Sequence, residues 1–156
     1  GDGRFRRPEE YVHRAIATVT THDLPTLRGY WAGRDLVLRD RLQLFPGDEI
    51  RRYVLDERVR DRAQLLAALD AVGLHPPLAG EAESGYGEPL AHAKSAASLV
   101  VLQFEDLIGM ADPVNVPGTS HEHANWQSKV TASLDDALGR ETTLRLFADV
   151  RRARAS

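Results

Sequence analysis

The stretch Ala15-Ile-Ala-Thr-Val-Thr-Thr-His22-Asp23-Leu-Pro-Thr-Leu-Arg-Gly-Tyr-Trp31 decides how the rest of the chain is read. Ile16 to Thr21 is an apolar, β-branched run without clean polar alternation, the pattern of a parallel strand buried on both faces. It stops abruptly at a His-Asp pair, and Pro25 follows two residues after Asp23. A strand that ends this way hands two polar side chains to its carboxyl end, where open α/β sheets place their ligands.

A second run of the same kind lies far downstream. Leu99-Val-Val-Leu-Gln-Phe104 reads as another buried strand and again ends in acids, Glu105 and Asp106. Between the two strands the periodicity is helical. Pro25 through Gly33 makes a turn or short helix bearing Trp31. Asp35 is placed as an N-cap of a helix carrying Leu38, Leu42 and Phe45, which Pro46-Gly47 ends. From Asp48 the apolar face of Ile50, Tyr53 and Val54 breaks and resumes at Val59, Ala63, Leu66 and Leu69, which predicts a kink or two helices before Gly73. Its charges, such as Asp56 and Arg60 four apart, read as a solvated helix face.

Gly1 to Arg14 is an irregular lead-in with one helical turn around Pro8-Glu9-Glu10-Tyr11. His75 to Pro89, rich in glycine and proline, is a loop or linker, and Ala91 to Ser98 is a helix of small residues. Asp112 to Thr119 is a loop stiffened by Pro113 and Pro117. Ser133 with Asp136 three residues on resembles a capping box. It opens a terminal helical region interrupted at Gly139, packed through Leu144, Phe147 and Ala148, with an arginine-rich tail that frays.

Two strands in 156 residues are too few for an independent closed sheet. With Met110 the only methionine, the expectation is a piece of an α/β enzyme, cut, processed or part of something longer. A net charge of −3 gives no basic field for nucleic acid. No apolar run approaches the roughly 20 residues a bilayer span needs. The absence of cysteine excludes disulfides and thiolate metal sites and fits a reducing compartment. The basic residues are 18 Arg and 2 Lys, a skew that reads as coding bias on solvated helices, although arginine forks also pair bidentately with carboxylates.

Chemically, a carboxylate at a strand end stabilises developing positive charge, accepts hydrogen bonds from sugar hydroxyls, binds a metal or orients a histidine. The bland alternative for Asp23 is a capped turn in which it accepts backbone amides ahead of Pro25. An HD-type phosphohydrolase would need further His and Asp ligands on helices, and His13, His75 and His92 form no helical pair. His121 and His123 sit on one face of an extended segment, but no third ligand follows at recognisable spacing, so a surface loop is favoured. There is no serine elbow and no phosphate-cradling glycine motif. Trp31 and Trp126 read as core packing or as sugar-stacking platforms.

Thr20-Thr-His-Asp-Leu-Pro-Thr-Leu-Arg-Gly-Tyr-Trp31 resembles the segment of bacterial 4-alpha-glucanotransferases (amylomaltases, or disproportionating enzymes) that carries the third catalytic acid. Leu102-Gln-Phe-Glu-Asp-Leu-Ile-Gly109, then Pro113-Val-Asn-Val-Pro-Gly-Thr119 and Asn125-Trp126, resemble that family's late strand and loop, in the same order. The resemblance runs from about Tyr11 to the terminal helix. It implies an α/β fold, the C-terminal portion of a (β/α)8 TIM barrel of the α-amylase superfamily, about the last two strand units with helical insertions. Residues 1–156 would then be an incomplete part of that catalytic barrel.

The activity so implied is transfer of a 1,4-alpha-glucan segment to the 4-hydroxyl of another glucan by a retaining double displacement. Asp23 corresponds to the family's third, transition-state-stabilising carboxylate, with His22 contacting the same sugar and Asn115 near the site. The nucleophile and acid/base would lie upstream of Gly1, on the rest of the barrel, so the chain alone is expected to be inactive. Glu105 and Asp106 fall in a family motif that is not the acid/base and are read as structural. Unpaired strand edges lead us to expect a marginal or aggregation-prone chain unless complemented. The implied partner is a maltodextrin, without cofactor, metal, nucleic acid or membrane, in the cytoplasm. Competing readings are a non-catalytic glucan-binding or structural remnant, and a metal-dependent hydrolase using His22, Asp23, His121 and His123.

Overall fold

The computed structural model describes residues 5–74, 91 and 93–155. The expected loop from His75 to Pro89 lies outside the described residues. Strands β1 (Ile16–Thr18) and β2 (Leu99–Val101) pair in parallel, with Ile16 opposite Leu99, Ala17 opposite Val100 and Thr18 opposite Val101. A parallel pair needs a long crossover. Here it includes three helices, α1 (Leu27–Ala32), α2 (Arg34–Arg41) and α3 (Asp48–Ala71). After β2 come α4 (Phe104–Leu107), α5 (Leu134–Gly139) and α6 (Glu141–Arg154). Among the described residues no helix is long and apolar enough to cross a membrane.

Both strands are shorter than their apolar runs predict. Beyond Thr18 the backbone carbonyl of Thr20 accepts from the Thr18 hydroxyl at 2.8 Å and from Gln103 Nε2 at 3.3 Å, so side chains replace the ladder. Phe104, expected to end β2, instead opens α4. Burial on both faces is not seen either. Ala17 is buried, whereas Ile16 and its partner Leu99 are 63% and 59% exposed. One face of the two-stranded sheet is therefore apolar and open.

Thr26 caps α1, its hydroxyl accepting from Gly29 N at 3.1 Å. Gly33, at φ +68°, closes α1 and leads directly into α2. Asp35 is thus not a cap but lies in the first turn of α2. It takes a bidentate ion pair from Arg58 of α3, at 2.9 and 2.7 Å, with both side chains only 13% exposed. The Arg58 guanidinium also lies 3.9 Å from the Tyr30 ring centroid and donates to the Tyr30 carbonyl at 3.0 Å. Arg51 forks onto Asp40 at 2.6 and 3.0 Å. Part of the arginine skew is therefore structural, as geometric pairing with carboxylates, largely buried for Arg58 and exposed for Arg51.

Helix α2 ends at Arg41, short of Phe45, and α3 is one 24-residue helix rather than two. Residues 48–71 contain neither glycine nor proline to break it, which explains its continuity. Its apolar residues do not form one buried stripe: Leu69 is buried while Tyr53 and Val59 are exposed. The lead-in has its turn as a 3-10 helix, Pro8–Glu10. The small-residue segment is helical at Ala91 and Ala93 and leaves helix from Lys94.

Ser133 caps α5, accepting from Asp136 N at 3.1 Å and donating to the Asp136 carboxylate at 2.6 Å, and Gly139 ends that helix. The packing face of α6 differs from expectation. Leu146 is 5% exposed and clusters with Ala93, Val150 and Ala153, while Leu144 is 55% exposed. The tail does not fray, because Arg154 donates to the carbonyls of Ser95 at 2.9 Å and Ser98 at 3.2 Å. A second cluster of Ile108, Met110 and Ala137 seats α5 on the segment after α4.

Candidate functional site

The loop from Thr20 to Thr26 leaves β1 at its carboxyl end, and both of these threonines are buried. A turn closes within it, Leu24 N donating to Thr21 O at 3.1 Å, and exposes His22 and Asp23. The ends are fastened to the segment after β2. Thr26 Oγ1 donates to Met110 O at 2.6 Å. The Thr20 hydroxyl donates to Asp106 Oδ2, and Leu27 N donates to Asp106 Oδ1 at 2.7 Å. Burial raises the Asp106 carboxyl pKa above its usual range, against those two hydrogen bonds, which lower it, and with Glu105 adding to the rise.

The second contributor is the loop of residues 113–126, organised by Asn125. Its Oδ1 accepts from Val116 N at 2.9 Å, and its Nδ2 donates to Thr119 O and Oγ1 at 3.1 and 2.8 Å. Trp126 N donates to Val114 O at 3.0 Å. The loop thereby folds back on itself and turns Asn115 toward the first loop.

The structure brings together all three residues expected at the site. Asn115 Nδ2 donates to Asp23 Oδ1 at 2.6 Å, and His22 Nε2 lies 3.1 Å from Asp23 Oδ2. The partners of Asp23 are thus two side chains, not the backbone amides of a capped turn. Asn115 occupies one carboxylate oxygen, while about half of the Asp23 side chain stays exposed to an incoming ligand. Such a carboxylate is placed to accept hydroxyl hydrogen bonds and to stabilise positive charge.

The two tryptophans separate. Trp31 is 4% exposed and belongs to the core, with Arg62 5.1 Å from its ring. Trp126 is 61% exposed, holds φ at +62°, and sets its ring 5.0 Å from that of His22. Trp126 therefore lies beside the candidate site; its aromatic type was a signal, but the sequence did not separate it from Trp31. Among the described residues no group of three or more His, Asp or Glu is arranged to hold a metal, so His22, Asp23, His121 and His123 do not assemble as ligands.

Comparison with known proteins gives one consistent result. Residues 1–135 match the family model described as 4-alpha-glucanotransferase. The chain is 32% identical over 161 residues to the 4-alpha-glucanotransferase of Haemophilus influenzae, covering 98% of this chain and 23% of that protein. It is 32% identical over 128 residues to the 4-alpha-glucanotransferase of Mycobacterium tuberculosis, covering 79% of this chain and 17% of that one. The crystal structure of amylomaltase from Corynebacterium glutamicum superposes with a TM-score of 0.77 at 27% identity, over 97% of this chain and 23% of that one. The chain spans about a quarter or less of the length of these relatives.

Proposed function

This chain belongs to the 4-alpha-glucanotransferase family, and from that premise we propose that it contributes the third carboxylate of a glucan-transfer site. In this reading residues 1–156 form the C-terminal part of a (β/α)8 barrel with the site at the strands' carboxyl ends. The open apolar face of Ile16 and Leu99 is where the rest of the barrel packs. The substrate is a 1,4-alpha-glucan, transferred without a cofactor to the 4-hydroxyl of an acceptor sugar, and the compartment is the cytoplasm.

A retaining double displacement needs a nucleophile and an acid/base. Both come from the upstream part of the barrel. Asp23 holds hydroxyls of the sugar beside the scissile bond and stabilises its oxocarbenium-like state. Asn115 fixes the carboxylate, and His22 contacts the same sugar. The observation that carries this reading is the hydrogen bond from Asn115 to Asp23, which joins two motifs 92 positions apart.

The test is maltotriose disproportionation. The purified 156-residue chain should show none, and measurable transfer by it alone would refute the division of roles. In a 4-alpha-glucanotransferase containing this chain, Asp23→Asn should lower turnover by about 100-fold or more with little effect on folding. Near-normal turnover would remove Asp23 from the mechanism.

A further inference from the structure

We propose that Asp106 is a positioning residue for Asp23, acting by holding both ends of the loop that carries it. The proposal rests on the role assigned above to Asp23. Asp106 sits on α4, at the carboxyl end of β2, and uses its two oxygens separately. Oδ2 accepts the hydroxyl of Thr20, three residues before Asp23, and Oδ1 accepts the amide of Leu27, four residues after it. One half-buried carboxylate thus spans the loop at its base while His22 and Asp23 stand exposed at its crown.

The neighbouring contacts point the same way. Gln103 Nε2 donates to Thr20 O, and Thr26 Oγ1 donates to Met110 O, so each end is also tied to the segment containing Asp106. That segment continues into the loop bearing Asn115, which grips Asp23 directly. The carboxylate therefore sets the height of Asp23 relative to Asn115. A displacement of about 1 Å at a reacting centre costs on the order of 100-fold in rate. A carboxylate that served only folding would leave the active fraction unchanged in chemistry.

The test uses three substitutions. Thr20→Val removes one arm at constant volume, and Asp106→Ala removes both. Asp106→Asn keeps a carbonyl for Leu27 N and offers an amide to Thr20 Oγ1. In a 4-alpha-glucanotransferase containing this chain, Thr20→Val and Asp106→Ala should lower kcat by about 10- to 100-fold per folded molecule, with KM within about twofold. Asp106→Asn should recover most of the loss. In that same enzyme, carrying isotope-labelled asparagine, the Asn115 side-chain amide resonance should move toward its position in Asp23→Ala when Thr20→Val or Asp106→Ala is made, and stay in place in Asp106→Asn.

An unchanged kcat in folded Thr20→Val and Asp106→Ala overturns the proposal, as does an Asp106→Asn variant as slow as Asp106→Ala. A loss of activity that merely follows the folded fraction also overturns it. Asp23→Asn assayed alongside separates the premises. If that variant keeps full turnover, the role of Asp23 fails, and the Asn115 resonance still decides whether Asp106 holds the loop.

Discussion

Gly29→Ala should destabilise this protein although it replaces a glycine within a helix by the best helix former. Propensity alone favours alanine by about 1 kcal/mol. A Cβ at Gly29, however, would stand 2.3 Å from the carbonyl oxygen of Ala111 and 3.0 Å from Thr26 Oγ1. The first distance is about 1 Å short of ordinary contact, and the obstacle is backbone, so no rotamer change relieves it. The helix α1 has to lift from the segment following Met110. That segment is where the Thr26 hydroxyl donates at 2.6 Å, and the same hydroxyl accepts from Gly29 N at 3.1 Å. Overpacking costs about 1–3 kcal/mol, and weakening two hydrogen bonds adds about 0.5–1 kcal/mol each. Subtracting the propensity gain leaves a net loss of about 1–4 kcal/mol. At about 2–4 °C per kcal/mol, thermal melts followed by circular dichroism should show the midpoint falling by about 5–10 °C in the middle of that range. A midpoint equal to or above that of the parent refutes the reasoning, because it would mean that the close approach is absent.

Two further outcomes follow from the geometry. Asp35→Ala leaves Arg58 partly buried without its carboxylate and should cost about 2–4 kcal/mol in denaturant unfolding, whereas Asp35→Leu combined with Arg58→Met should cost less than that single change; a double variant worse than Asp35→Ala counts against the pair being two-sided. Because burial raises the Asp106 pKa in the folded state, the folded protein binds that proton more tightly than the unfolded one. Its contribution is therefore greatest below the unfolded carboxylate value and is lost as pH rises through the raised folded value. Melting temperatures compared with Asp106→Asn between about pH 3.5 and pH 7 should show the parent losing ground as pH rises, and a gap that stays flat or widens in the parent's favour contradicts it.

Much of the site was legible because its signals are local. The β-branched run ending at His22-Asp23 marked a strand and its carboxyl end, and β1 stands there in parallel pairing with β2. Ser133 and Asp136 sit three apart and cap a helix together. The two motifs that resemble the 4-alpha-glucanotransferases contain Asp23 and Asn115, which the fold joins.

The errors share a cause. An aspartate two residues after a glycine reads as an N-cap, and nothing nearby reveals that its partner is Arg58 on another helix. On α6 several apolar residues compete for the buried face, and the position of Ala93 selects Leu146 over Leu144. The ends of both strands were overextended because Gln103 and Asp106 redirect the chain through contacts with Thr20.

By itself, then, the sequence determined most of the strand and helix types, the Ser133 cap and the family, and singled out Asp23 as the candidate carboxylate, since each depends on residues adjacent along the chain. Only the tertiary structure decided that Trp126 and not Trp31 faces the site, that Asp106 spans the Asp23 loop, and that Gly29 must lack a side chain. Those outcomes depend on which distant backbone arrives within a few ångströms. Local propensity carries no record of that encounter.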